Sequence, residues 1–237
     1  MRKTSTRILS AILAVMMLVG LVPMMTISSS AAFNDTSIKF DDKGEFTLIQ
    51  ITDIQEDTEV HETTLALIDK AMNKYNPDMV VMTGDNVESG MDESEFKTAV
   101  DQFMAPIINA GVRYAVTFGN HDDEDRSIVN TAWDKQSQYN YYVGMSPLAI
   151  DYDEDSLSGV GTGAIPIYSN DGSRVAFCIF PIDSGTYDSN DDYDHVKDDQ
   201  IAWYASESAR LAQLNNGNPV PTLTFQHIPV PEIYSNL

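Results

Sequence analysis

Three short apolar runs constrain this chain's fold more than any other feature: EFTLIQITD (45–53), DMVVMTGD (78–85) and VRYAVTFGN (112–120). Each is too short for a buried helix and stops abruptly at polar residues, as buried strands do. Between them lie two helical patterns. TEVHETTLALIDKAMNKYNP (58–77) places Leu65, Ile68 and Met72 at helical spacing and stops at Asn76-Pro77. ESEFKTAVDQFMAPIINAG (93–111) is a second helix, which Pro106 is expected to bend. Parallel neighbours need a crossover connection, and strand-helix-strand-helix-strand supplies it, so the spacing predicts an α/β fold with a parallel sheet. Further on, AIPIYSNDGSRVAFCIFPIDSG predicts a hairpin turning at Asn170-Asp171-Gly172, with Pro166 suited to an edge strand. A last helix (198–215) leads to a last apolar run, PTLTFQHIP.

Where these strands end is the informative observation. The first ends in Thr52-Asp53-Ile54-Gln55, the second in Gly84-Asp85-Asn86, the third in Gly119-Asn120-His121-Asp122, and the last in Gln226-His227. In open parallel sheets, ligands collect outside the carboxyl ends of the strands. Carboxylate, amide oxygen and imidazole suit a hard or borderline divalent metal. Gly84 and Gly119 each precede a candidate ligand, where a missing Cβ permits close approach. Taken singly, Gly-Asp reads as a turn and Asn-His-Asp as a helix cap; those readings must coincide at every junction to explain the set.

The first thirty-two residues read differently. Arg2, Lys3 and Arg7 precede a long apolar stretch that passes through TISSS to Ala31-Ala32, the pattern of a secretory signal with cleavage after Ala32. Gly20 and Pro23 interrupt the apolar run, which argues against a retained span. The expectation is therefore a secreted or extracytoplasmic product with one domain over 33–237 and no stable membrane span after cleavage. The single cysteine, Cys178, cannot form an internal disulfide, so an ordinary core must supply stability. The net charge is −22; three of the 14 basic residues and none of the 36 acidic ones lie in the leader. Such a surface repels nucleic acid and anionic lipid, and an anionic substrate would need positive charge supplied locally, for which bound metal is economical.

GDNV at 84–87, GNHD at 119–122 and Asp53 after the first strand resemble the calcineurin-like metallophosphoesterases, and FGNHDDE and QHIPVPE are similar to the branch related to purple acid phosphatases. The resemblance covers residues 45–237. It implies a four-layer α/β/β/α sandwich, two sheets between helices, and a two-metal site holding divalent or trivalent Mn, Fe or Zn. It further implies that Asp53, with Gln55 beside it, ligates the first metal, that Asp85 bridges both, and that Asn120 and His227 ligate the second. His121 would face a phosphoester substrate and protonate its leaving alkoxide while a metal-activated water attacks.

Two departures from the family pattern stand out. Gln55 occupies a position where the family has histidine, and offers only a neutral amide oxygen. The family's downstream Gly-His-x-His element does not occur before Leu237, so the C-terminal part of the domain is expected to be missing. Both departures feed an alternative reading, a catalytically weakened protein of the same fold that keeps metal and phosphate affinity. A third reading, calcium binding, rests on DSNDDYDHVKDD (188–199), whose acids fall at calcium-loop offsets although Tyr193 replaces the glycine such a loop needs; a solvated acidic loop is preferred. His61 reads as a surface helix residue and Asp183 as structural. Among the four acids 122–125 one could orient His121, the rest facing solvent. Tyr141, Tyr142 and Tyr168 are candidates for lining a substrate cleft.

Overall fold

The computed structural model describes residues 37–124 and 133–234. The expected secretory signal and its cleavage point lie outside the described residues, as does Asp125.

In the first half, β1 (Leu48–Ile51), β2 (Met79–Thr83) and β3 (Arg113–Thr117) form a parallel sheet in the order β1-β2-β3, joined by α1 (Glu62–Tyr75) and α2 (Glu93–Asn109). The helix ends follow from local chemistry. Asn76 ends α1 in the left-handed region, φ 42°, and its N–H bonds to the Met72 carbonyl before Pro77 forbids continuation. α2 begins in a reciprocal cap: the Asp92 carboxylate accepts from the Ser94 and Glu95 N–H groups while Glu95 reaches back to the Asp92 N–H. It continues through Pro106 as one helix to Asn109.

In the second half, α3 (Lys135–Gly144) is followed by the hairpin β4 (Ile165–Tyr168) and β5 (Val175–Pro181), then α4 (Asp198–Leu214), β6 (Thr222–Phe225) and the short α5 (Pro231–Tyr234). The order is β4-β5-β6, with β4 antiparallel and β6 parallel to β5. The hairpin turns where expected, with Gly172 at φ 69° and its N–H on the Ser169 carbonyl, and Pro166 lies in an edge strand.

The layering can be read from the two-residue period of β5. Phe177 and Ile179 point into the large core shared with β1–β3, α1 and α2; Cys178 and Phe180 point the other way, into a second cluster with Leu211, Trp203 and Tyr204 of α4. β4 divides likewise: Ile165 and Ile167 face the shared core, and Tyr168 packs on the second cluster. One sheet therefore lies against the other, with α1 and α2 outside the first and α4 outside the second. This is an α/β/β/α sandwich. β2, covered on both faces, is buried along its whole length, as the unbroken MVVMT run requires. Burial of each such side chain contributes about 1.5–3 kcal/mol. Among the described residues, no helix is long and apolar enough to cross a membrane.

Candidate metal centre

β1, β2 and β3 are parallel, so their carboxyl ends share one edge, and the loops leaving that edge are tied together before any ligand is considered. The Asp53 N–H bonds to the Gly84 carbonyl at 3.1 Å and the Gln55 N–H to the Asp85 carbonyl at 3.0 Å, which carries the β1–β2 pairing into the loops. Asp53, Gln55 and Asp85 all sit at positive φ, 54°, 44° and 50°. For residues other than glycine this conformation is uncommon, and its clustering at one edge marks a place where the surroundings hold side chains in directions a relaxed chain would not choose.

The two glycines are explained by backbone meeting backbone. A Cβ on Gly84, whose φ is 100°, would lie 2.4 Å from the Gly119 nitrogen; a Cβ on Gly119 would lie 2.2 Å from Asp85 Oδ1 and 2.8 Å from His227 Cδ2. The close approach predicted for a metal is made instead by the neighbouring loop. Asp122 fastens that approach. Its Oδ2 accepts from the N–H groups of Asp85 at 2.9 Å and Gly119 at 2.7 Å; its Oδ1 accepts from Asn86 at 2.8 Å and Val87 at 3.3 Å. Burial pushes its pKa up to about 6, against the pull of the Gly119 N–H and Lys135.

Potential ligands converge on this scaffold from both sheets. Donor atoms of Asp53, Asp85 and His227 lie within 4.8 Å of one another. His227, just after β6, donates from Nδ1 to the Thr83 carbonyl at 3.1 Å, which leaves Nε2 toward Asp85 Oδ2, 3.2 Å away. A backbone acceptor of this kind fixes the tautomer a metal-binding imidazole needs. Burial favours neutral His227, but the Asp85 carboxylate outweighs it and raises the imidazole pKa. Burial likewise opposes ionisation of Asp85, and His227 with the His121 N–H lowers its pKa on balance. Asn120 is buried and its Nδ2 donates to Tyr187 Oη at 3.0 Å, so the amide oxygen remains for another partner. Gln55 donates from Nε2 to Asp85 Oδ2 at 3.3 Å. Asp53, Gln55, Asp85, Asn120, His121 and His227 together line one cleft of about 300 Å³, at whose rim lies Tyr193. The donor set of carboxylates, amide oxygen and imidazole fits a hard or borderline cation.

His121 stands beside the ligands. Its backbone N–H donates to Asp85 Oδ1 at 2.9 Å and its Nε2 lies 3.9 Å from Asp85 Oδ2. On its other side Nδ1 meets the Glu124 carboxylate and Ser89 Oγ, and Ser89 donates to Glu124 at 2.8 Å. A carboxylate only accepts, so Nδ1 carries the hydrogen and Nε2 is free to exchange a proton with the cleft. Glu124 also accepts from Tyr187 Oη at 3.1 Å.

This geometry agrees with the comparison to known proteins. Residues 46–236 match the calcineurin-like phosphoesterase family. The chain belongs to that family. Among calcineurin-like phosphoesterase relatives, it is 25% identical over 235 residues to probable inactive purple acid phosphatase 29 of Arabidopsis thaliana, covering 84% of this chain and 58% of that protein. It is 25% identical over 241 residues to probable inactive purple acid phosphatase 14 of the same plant, covering 86% and 58%, and 25% identical over 221 residues to phosphatase DCR2 of Saccharomyces cerevisiae, covering 83% and 36%. The chain thus spans a little over half the length of the plant relatives.

The structure bears out some of the remaining expectations and corrects others. Asp122 is buried and structural, and Glu124 is the acid that orients His121. Of the tyrosines proposed to line the cleft, Tyr142 is buried and Tyr141 bonds to Asp101, while Tyr168 packs on the second cluster; Tyr193 lines the cleft instead, and Tyr187 reaches it through its hydrogen bond to Asn120. His61 precedes α1 as its N-cap and pairs with Glu56 at 2.8 Å. In the loop at 188–199, Asp188 Oδ1 accepts from the N–H groups of Asn190 and Asp192, so the loop is organised around its own backbone. Asp183 is structural: buried, it pairs with Lys135 at 3.1 Å.

Proposed function

We propose that the chain is an exported, metal-dependent phosphoesterase that hydrolyses phosphate esters at a two-metal site. The observation carrying this reading is the convergence of Asp53 and Asp85 from the first sheet with His227 from the second, their donor atoms within 4.8 Å, in a cleft that also receives Asn120 and His121. Asp53 and Gln55 would hold one cation, Asn120 and His227 the other, and Asp85 both. Cations bound there would supply Lewis acidity and a water that ionises near neutral pH. His121 gives a proton from Nε2 to the departing ester oxygen, and Glu124 holds the ring through Nδ1 and stabilises the imidazolium. Thr83 keeps His227 in the ligating tautomer, and Asp122 keeps the loops in register. Export rests on the leader pattern of residues 1–32.

Full-length protein supplied with Mn²⁺ or Zn²⁺ should hydrolyse a generic aryl phosphate. His121→Ala should cut kcat by about 10²–10⁴ with metal content kept; undiminished turnover in that variant would refute the role given to His121. The secreted protein should begin at Phe33 by mass spectrometry, and retention of Met1 would defeat export.

A second reading, a catalytically weakened protein of the same fold, is favoured by Gln55, whose amide N–H is turned on the shared ligand Asp85, and by the word inactive in the plant relatives' names. It predicts that Gln55→His raises both metal occupancy and turnover.

A further inference from the structure

The cleft has one wall that metal ligation does not explain. Tyr187 and Tyr193 lie ring on ring, centroids 5.5 Å apart and planes 19° from parallel, and a backbone bridge between the same residues closes the loop that carries them. Tyr187 is anchored inward: its hydroxyl accepts from Asn120 and donates to Glu124, the residue that holds His121. Tyr193 is 56% exposed, although Tyr187 covers one of its faces, and it borders the cleft together with the candidate ligands. A large aromatic left this exposed at a polar site, and held flat by a second ring that is itself hydrogen-bonded to the site, is a rigid apolar surface facing whatever leaves the phosphorus. The anchoring fixes which part of the substrate that is. His121 gives its proton from Nε2 into the cleft, Tyr193 borders that same cleft, and Tyr187 is hydrogen-bonded to Asn120 on it, so a leaving alcohol in the cleft lies within reach of the tyrosines.

We propose that the Tyr187–Tyr193 stack is a specificity platform that selects phosphate esters whose leaving alcohol carries a planar aromatic ring, stacked on the outer face of Tyr193. This rests on the phosphoesterase reading for turnover, but not for binding. Offset-stacked rings gain enough over an aliphatic contact of similar area to give about two- to tenfold discrimination.

The test compares benzyl phosphate with cyclohexylmethyl phosphate, whose alcohols are similar in size and acidity, on full-length protein loaded with Mn²⁺. The benzyl ester should be preferred in kcat/KM by about three- to tenfold. Tyr193→Phe should keep that ratio and Tyr193→Leu bring it to about one. The same comparison with the non-hydrolysable isosteres 2-phenylethylphosphonate and 2-cyclohexylethylphosphonate, by calorimetry, separates the two ideas. If neither ester is turned over but the 2-phenylethylphosphonate binds several-fold tighter, and Tyr193→Leu abolishes the difference, the platform stands and the phosphoesterase reading falls. Equal ratios in the parent protein, a ratio that Tyr193→Leu does not move, or binding of neither phosphonate would overturn the platform.

Discussion

His121 and Asp122 are neighbours in the chain and do different work. The imidazole faces the cleft, half-exposed and gripped by Glu124, whereas the carboxylate is buried and spends both oxygens on four backbone N–H groups. Glu124→Gln replaces an acceptor that fixes the His121 tautomer with an amide that can present the wrong atom; kcat should fall about 10- to 100-fold with metal content unchanged, and Glu124→Asp should recover part of it. Asp122→Asn sets an NH₂ group against two N–H donors whichever way the amide turns. The expected loss is about 1–3 kcal/mol, read as a fall in Tm of several degrees. Nothing in the run Asp122-Asp123-Glu124-Asp125 marks one acid as a fastener and another as a partner for histidine, because that difference arises from burial against residues 36 or 37 positions away.

At the scale of elements, the first sheet was legible because each strand is a clean apolar run and each helix carries a 3.6-residue period, both local properties of sequence. For the same reason the sequence alone sets the polar strand ends on one edge. Gly84 and Gly119 were legible as requirements but not in their cause, since the atoms that exclude a side chain belong to another loop. Gly119→Ala should therefore act through its neighbours: the added methyl meets Asp85 Oδ1 and His227 Cδ2, so metal occupancy, measured by elemental analysis, should drop steeply with secondary structure by circular dichroism retained. Tyr187, Tyr193 and Ser89 are not legible in the sequence as site residues, and Glu124 only as one of four acids beside His121, because they stand in loops, where no periodicity tells the direction of a side chain.

For the whole molecule, acidity is the dominant property, with 36 acidic residues against 14 basic. Glu154 shows its effect locally. Burial and the nearby Glu207 and Asp153 carboxylates push its pKa up to about 7, Arg210 opposing. The folded state therefore holds a proton that the unfolded chain gives up near the ordinary value of 4.5, so the stability this group contributes is present in full below that value and lost as pH rises through 7. Glu154→Gln should raise Tm at pH 7.5 by about 2–4 °C, corresponding to roughly 1 kcal/mol after allowance for solvent screening, and should flatten the decline between pH 5 and 7.5. A matching slope in both proteins would show that diffuse repulsion alone is responsible.

The meeting of Asp53 and His227 has a mechanical meaning as well as a chemical one. A cation gripped by both would tie together points near the two ends of the described chain, and it could do so only once the sheets had docked. With a single cysteine the chain has no covalent cross-link of its own, and the ion would serve as a reversible one. Chelation should then weaken the whole sandwich in a single cooperative step, by about 2.7 kcal/mol if free metal had stood at a hundred times its dissociation constant, rather than merely loosen the loops.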